Sequence, residues 1–139
     1  MAWNFSYKKM LERAYKKLPE KIQRESRFEI PKITSRVQGN RTIVRNFGKL
    51  AKDISRSKDH LMKFLLRELA TTGKEERNSV VFIGKFSNDI LQRKFKKYIE
   101  EFVLCAQCGK PDTELIKEKG LTFKRCEACG AKSSVRNIK

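Results

Sequence analysis

The chain has 139 residues, of which 35% are charged and 39% hydrophobic, so it can form one domain of ordinary size or a small core with short appendages. Its 33 Lys and Arg residues outnumber 16 Asp and Glu residues, and the resulting net charge of +17 points to a polyanionic partner. No apolar run approaches the roughly 20 residues of a membrane span, and no signal-peptide core is present. We therefore expect a cytoplasmic protein without a membrane partner.

The first 19 residues are expected to form an amphipathic helix of about five turns. Pro19 would end this helix, and residues 20–30, which are highly charged and aperiodic, are interpreted as a linker. The apolar stripe would have nothing of its own to pack against, so either it folds back on the core or another protein covers it. The stripe consists of Trp3, Tyr7, Met10, Leu11, Ala14 and Leu18, with Tyr15 widening it.

Residues 31–103 are predicted to be a central α-β domain. Two strand-like runs flank Gly39 and Asn40, which is the pattern of a β-hairpin. Two helices should follow, with a break near "SRSKD" where Ser57 would cap the second. The stretch "LLRELATTG" fits either a helix end or a strand.

A further strand is predicted in "RNSVVFIGKF", followed by a helix that Ser87 or Asn88 would cap. The helix carries one apolar face. The expected result is an α+β fold in which helices cover a central antiparallel sheet. The apolar face consists of Ile90, Leu91, Phe95, Tyr98, Ile99 and Phe102.

All four cysteines lie in two CxxCG pairs near the C-terminus, Cys105 with Cys108 and Cys126 with Cys129. Their spacing falls within the tetrathiolate zinc pattern, and a reducing compartment disfavours disulfides. The glycines after each pair permit the positive φ that such turns need. We expect one structural Zn²⁺ bound by all four thiolates, its charge offset by Lys110, Arg125 and Lys132.

The segment between the cysteine pairs alternates and turns at "KEKG", so it is interpreted as a hairpin, and "SSVRNI" would add a third strand. Residues 104–139 are thus predicted to be a zinc ribbon that depends on its metal for folding. A rubredoxin-like iron site has the same ligand pattern and stays open at this point. A redox pair would not need a second matching pair.

Catalytic patterns are scarce in the sequence. His60 is the only histidine, and a lone helical histidine is more often a surface or interface residue than a base. The chain contains neither a P-loop nor a GxGxxG motif, so nucleotide binding of those kinds is not expected. We therefore do not expect an enzyme. The excess positive charge is spread over all segments, which favours broad contact with a nucleic-acid backbone.

Several stretches in collinear order resemble the beta subunit of archaeal translation initiation factor 2. They cover essentially the whole chain, and the part from "YIEEFVLC" through "CGKPDTEL" is the most specific. Eukaryotic initiation factor five shares the middle and zinc modules but is longer. The stretches are "YKKMLERAYKKLPE", "RFEIPK", "GNRTIVRNF", "FSNDILQRKFKKYIEEFVLCAQCGKPDTELI" and "CEACGAKSSV".

The resemblance implies a non-catalytic subunit of a heterotrimer that also contains an alpha subunit and a gamma subunit, the GTPase. This trimer delivers methionylated initiator tRNA to the small ribosomal subunit. The N-terminal helix of the family docks on the gamma subunit, which implies that a partner covers the apolar stripe. The docking residues carried over to this chain are Tyr7, Leu11, Ala14, Tyr15 and Leu18.

The basic charge fits tRNA and ribosomal RNA as partners, and Lys94, Lys96 and Lys97 are candidate phosphate contacts. A second interpretation comes from another class of protein, a zinc-ribbon accessory factor for transcription or DNA processing that binds duplex DNA. The two hypotheses predict different preferences among initiator tRNA, elongator tRNA and duplex DNA at matched salt.

Overall fold

The computed structural model describes residues 6–19 and 28–138. The N-terminal helix α1 spans Tyr7–Lys17, eleven residues or about three turns. Leu18 is extended, with φ −73° and ψ 134°, as a residue before proline prefers, so the helix ends where Pro19 was predicted to end it. The predicted first turns, with Trp3, and residues 20–27 of the predicted linker lie outside the described residues.

The central sheet has four antiparallel strands in the order β1-β2-β4-β3. The predicted hairpin is confirmed, because β1 (Ser35–Gln38) and β2 (Arg41–Val44) are joined through a turn in which Gly39 has φ +61°. The predicted strand is β4 (Ser79–Ile83). Its neighbour β3 (Gly73–Glu76) was not predicted, since its sequence GKEE is polar and the strand lies at an edge of the sheet.

Three helices accompany this sheet, namely α2 (Phe47–Asp53), α3 (Lys58–Leu69) and α4 (Asn88–Tyr98). The Ser57 and Ser87 hydroxyls accept hydrogen bonds from the backbone N–H groups of His60 and Ile90, so both serines are N-caps. The stretch "LLRELATTG" proves to be a helix end, because Ala70 adopts a left-handed conformation after α3 and the chain then enters β3.

One hydrophobic core lies between the sheet and the helices. Phe28 and Ile30, which were predicted to belong to the linker, pack against this core, and Ile138 from the C-terminal end is part of it. The core is therefore built from residues at both ends of the described region from 28 to 138. Its largest side chains belong to Phe47, Leu50, Phe64, Phe82, Phe95, Tyr98 and Phe102.

The C-terminal segment forms a three-stranded antiparallel sheet of β5 (Thr113–Glu118), β6 (Leu121–Cys126) and β7 (Lys132–Val135). Lys119 and Gly120, with φ of 48° and 81°, make the two-residue turn between β5 and β6, as expected for a tight hairpin. The predicted α+β fold with a C-terminal ribbon is thus confirmed.

Helix α4 continues into a π-helical turn, Ile99–Val103, in which the Leu104 N–H donates to the Ile99 carbonyl at 2.8 Å. A helix end leaves its last carbonyls without partners in the helix. Here side chains from other elements bind four successive carbonyls, those of Glu101, Phe102, Val103 and Leu104.

Two of these side chains come from the ribbon. The ammonium of Lys124 on β6 donates to the carbonyls of Glu101, at 3.0 Å, and Leu104, at 2.5 Å. The hydroxyl of Thr113, at the start of β5, donates to the Val103 carbonyl at 2.5 Å. Both side chains are buried, with 5% and 6% exposure. The ribbon is thus held against the end of α4 by hydrogen bonds from buried side chains.

The third side chain is Arg56, from the segment between α2 and α3. Its guanidinium donates to the Phe102 carbonyl at 2.8 Å and to the carbonyl and hydroxyl oxygens of Thr113, both at 2.7 Å. Burial lowers the pKa of Arg56, but a guanidinium stays charged in proteins. A positive charge here also complements the negative end of the α4 dipole.

We expect Arg56→Met to lower the free energy of unfolding by about 2–4 kcal/mol, because it leaves buried acceptors on Phe102 and Thr113 without donors. Urea denaturation of the whole chain would measure the change. Arg56→Lys should lower the free energy of unfolding by less than Arg56→Met, because lysine keeps the positive charge. It should still lower it, because lysine lacks the several N–H donors of the guanidinium. The exposed Arg36 provides the control Arg36→Met, which should change stability by less than about 0.5 kcal/mol. Equal effects at both positions would contradict this account.

Candidate metal centre and partner surfaces

The two cysteine pairs have nearly the same backbone conformation. The Gly109 N–H donates to the Cys105 carbonyl at 2.9 Å, and the Gly130 N–H donates to the Cys126 carbonyl at 3.0 Å. Both glycines have positive φ, +68° and +75°, as the sequence predicted. A side chain at either position would be strained, so glycine closes each turn.

The four cysteine sulfurs converge on one point. All lie within 4.8 Å of one another, with Cys105 Sγ 3.6 Å from Cys129 Sγ and Cys108 Sγ 3.5 Å from Cys126 Sγ. These separations are far longer than the about 2.05 Å of a disulfide. They are close to the about 3.8 Å between sulfurs that surround one ion tetrahedrally with bonds of about 2.3 Å. The arrangement therefore fits one metal ion held by all four cysteines.

Backbone N–H groups favour the thiolate forms of Cys105 and Cys126. The N–H groups of Cys108 and Gln107 lower the pKa of the Cys105 thiol to about 6. The pKa of Cys126 is also lowered, chiefly by the N–H of Cys129. Thiolates are the species that bind metal ions, so the backbone prepares these cysteines as ligands.

The predicted counter-charges are differently arranged. Arg125 forms an ion pair with Glu114, and Lys132 forms one with Glu118 at 2.7 Å. Lys124 was not predicted, and its pKa is lowered by burial while the nearby Cys105 and Cys126 sulfurs favour its charged form. The alternation of residues in this strand did not indicate that the side chain of Lys124 would be buried against the end of α4.

Every residue of α1 is exposed, including the predicted docking residues Tyr7, Leu11, Ala14 and Tyr15, and so is the fifth, Leu18, which directly follows the helix. Tyr7 and Tyr15 are 75% and 57% exposed, and Leu11 and Leu18 about 40%. Ala14 lies on the same side as Tyr7, Leu11 and Tyr15, since residues at i, i+4, i+7 and i+8 share one face of a helix. Within the part of the chain that the structure describes, no side chain on the apolar face of α1 is therefore buried.

The three predicted phosphate-contacting lysines lie on or near the exposed side of α4, and each has a carboxylate partner. Lys94 and Lys97 both contact Glu68 at 3.1 Å, and Lys96 is 3.9 Å from Glu100. The hydrogen bond from Lys97, assisted by that from Lys94, lowers the pKa of Glu68. RNA contact by these lysines stays a prediction.

Comparison with known proteins identifies the family. The model of a domain described as found in initiation factors 2B and 5 matches residues 19–132. Translation initiation factor 2 subunit beta of Archaeoglobus fulgidus is 46% identical over 134 residues, which cover 96% of this chain and 98% of that protein. The chain belongs to the family of translation initiation factor 2 beta subunits.

Two further beta subunits show the same full-length similarity. That of Methanopyrus kandleri is 42% identical over 135 residues, covering 97% of this chain and 98% of that protein. That of Methanosphaera stadtmanae is 41% identical over 132 residues, covering 95% and 93%. Family membership assigns this chain to translation initiation, a step of protein biosynthesis.

Elsewhere in the chain, His60 has a structural environment. Its Nδ1 lies 2.8 Å from the Tyr98 hydroxyl, and its ring packs edge-on against Phe102. Burial lowers the pKa of His60, with a further contribution from the charge of Arg56. Among the described residues, the cysteines are the one cluster of His, Cys, Asp or Glu placed to hold a metal ion. No helix in this part of the chain has the length and apolarity to cross a membrane.

We expect loss of the metal, by Cys126→Ser or by a chelator, to make residues 104–138 sensitive to protease while the central sheet survives. Structural metal supplies about 10 kcal/mol of folding free energy to a small domain of this kind. The melting temperature of the central part should also fall, since the π-helical turn loses Lys124 and Thr113 as donors.

Limited proteolysis, mass spectrometry and circular dichroism would follow these changes. Ser134→Ala is the control, because Ser134 is an exposed residue of the ribbon outside the cysteine cluster. Collapse of the whole fold in Cys126→Ser, or an unchanged ribbon, would contradict the expectation.

Proposed function

We propose that this chain is the non-catalytic beta subunit of a heterotrimeric, GTP-dependent factor that delivers methionylated initiator tRNA to the small ribosomal subunit. Its companions would be an alpha subunit and a gamma subunit, the GTPase. The proposal is supported by the names of its relatives, which are subunits of translation initiation factor 2. The net charge of +17 suits a protein that works among tRNA and ribosomal RNA.

The observation that carries the subunit assignment is the exposed apolar face of α1. A helix of eleven residues is marginal in water unless another surface covers its apolar side. The described part of the chain buries no residue of α1, so a partner is the natural source of that surface. An amphipathic helix bound in a groove uses anchors with the spacing that Tyr7, Leu11 and Ala14 have.

We also propose that the bound metal is Zn²⁺. Four thiolates at these spacings suit a tetrahedral soft-ligand site, and zinc is the usual ion of such sites in proteins. When bound, zinc would hold the ribbon in its fold, since four protein ligands leave no position for a reacting water. One zinc per chain in elemental analysis of a colourless preparation is the expected result, and iron with visible colour would contradict it.

The docking role predicts that Tyr7→Ala with Leu11→Ala weakens binding to the gamma subunit by about a hundredfold or more. Truncating a large interface anchor typically costs a few kcal/mol. The stability of the rest of the chain should stay nearly unchanged, because both side chains are exposed.

Isothermal titration calorimetry with the gamma subunit would measure the affinity. Lys9→Ala with Lys16→Ala is the matched control, since these residues lie on the opposite side of α1 and the same two alanines are introduced. If the double anchor variant binds normally and melts earlier, the helix packs on its own core and docking occurs elsewhere.

The tRNA role predicts that the complex with the gamma subunit binds methionylated initiator tRNA more tightly than elongator tRNA or duplex DNA at the same salt concentration. Charge alone would favour none of the three strongly. Filter binding at several salt concentrations would measure the preference. Tighter binding to duplex DNA would support the other hypothesis, a DNA-binding accessory factor, and would overturn this one.

A further inference from the structure

The central sheet turns one face to the helices, and its other face, called here the open face, has exposed side chains in the described structure, such as Arg41 and Ile83. On β2 the side chains of Thr42 and Val44 are buried, with 0% and 1% exposure. Because side chains alternate along a strand, Arg41 and Ile43 lie on the open face. Arg45 directly follows β2, and its N–H donates to the Thr34 carbonyl at 3.0 Å, so the pairing with the preceding strand and the alternation continue to this residue. Both arginines are exposed.

The strand register extends this open face across the whole sheet. Ile43 on β2 is paired with Arg36 on β1 and with Val81 on β4, and Val81 is paired with Lys74 on β3. Directly paired residues in antiparallel strands project from the same side of the sheet. One row across the open face therefore begins with an arginine, passes two apolar side chains and ends with a lysine.

Four sheet cations, Arg36, Arg41, Arg45 and Lys74, thus surround the apolar pair. Arg41 and Arg45 are four residues apart along the strand direction, a separation of about 14 Å between their backbones. Arg36 and Lys74 are three strand spacings apart, which is also about 14 Å. The four cations therefore cover an area of about 14 Å along the strands and about 14 Å across them.

None of the four sheet cations is paired with a carboxylate in the described structure. All four are exposed, and within residues 28–138 none of them forms an ion pair shorter than 4.0 Å. In contrast, Lys94 and Lys97 share the carboxylate of Glu68. On the four strands, Glu76 is the one acidic residue that alternation and register place on the open face, since Glu75 contacts Lys58 of α3.

We propose that the open face of the central sheet binds the phosphate backbone of structured RNA. This rests on the proposed function, in which RNA is the partner, and it names the surface that meets that partner. A phosphate backbone complements four unpaired cations on one face, and each contact would release a counterion from the RNA.

The composition of the face also indicates which form of RNA it suits. Surfaces for single strands stack bases on aromatic side chains. On the described strands the centre of the face has Ile43 and Val81 instead, and no aromatic side chain projects there. Contacts to the phosphates of a double-stranded RNA segment therefore fit better than base stacking.

Two triple variants separate this surface from overall charge. Arg36→Gln, Arg41→Gln and Lys74→Gln remove three sheet cations, and Lys94→Gln, Lys96→Gln and Lys97→Gln remove three carboxylate-paired lysines. Both triples lower the net charge by the same amount. Affinity for initiator tRNA, and for an RNA duplex of about 16 base pairs, would be measured at several salt concentrations.

We expect the sheet triple to reduce the slope of log K against log salt by about 2 to 3, and affinity at about 0.1 M salt by about tenfold or more. The helix triple should change both quantities much less. Equal losses in the two triples would show that affinity follows net charge, and a larger loss in the helix triple would place the contact on α4. Either result would overturn the inference while leaving RNA binding intact.

A different failure would concern the proposed function itself. If the unaltered protein binds neither RNA, both proposals fall together. Should the sheet triple fold poorly by circular dichroism, the unaltered protein still provides a test. Bound RNA should protect Lys74 from an amine-reactive reagent but not Lys119, which lies in the exposed β5–β6 turn. Equal reactivity of Lys74 with and without RNA would overturn the inference.

Discussion

The carbonyl groups at the end of α4 need hydrogen-bond donors, and this need determines how the ribbon packs against the central domain. The π-helical turn directs the carbonyls of Glu101 and Leu104 toward one ammonium, that of Lys124. Burying a lysine is costly unless its charge is hydrogen-bonded. The ribbon thus inserts a cation where α4 has both free acceptors and the negative end of its dipole. Moving the ribbon away from α4 would take this donor from the carbonyls of Glu101 and Leu104.

This interaction connects the cysteine cluster to the central core. Cys126 ends the same strand that carries Lys124, and Thr113, paired with Cys126 in the ribbon, contacts both Val103 and Arg56. An ion held by the cysteines would therefore fix β6 and, through it, the donors that complete α4. The metal would therefore stabilise the core indirectly. It would hold Lys124 and Thr113 in the positions from which they donate to the end of α4. Local folding of the ribbon and stability of the centre are coupled for this reason.

What could be predicted from the sequence was encoded locally. Gly39 and Asn40 define their hairpin, and the spacing of the cysteines identifies the metal centre. Ser57 and Ser87 each cap the helix that follows by accepting from the N–H three residues away. What was missed depends on partners far along the chain. Arg56 contacts Thr113 across 57 positions, and Lys94 contacts Glu68 across 26. Polar β3 became a strand because β4 offered it a ladder of hydrogen bonds, and its own residues gave no such indication.

The same long-range pairing decides which positive charges are available to a partner. The sequence alone does not show which lysines form ion pairs, so the lysine-rich helix α4 was predicted to contact phosphates. Folding then places Glu68, with its low exposure and lowered pKa, between Lys94, Lys97 and Arg136. An incoming phosphate would have to compete there with a carboxylate already held by hydrogen bonds. On the open sheet no such competitor lies within ion-pair distance of the four cations in the described structure, so their field extends into solvent. The position of the acids, more than the number of bases, therefore determines where a polyanion meets this protein.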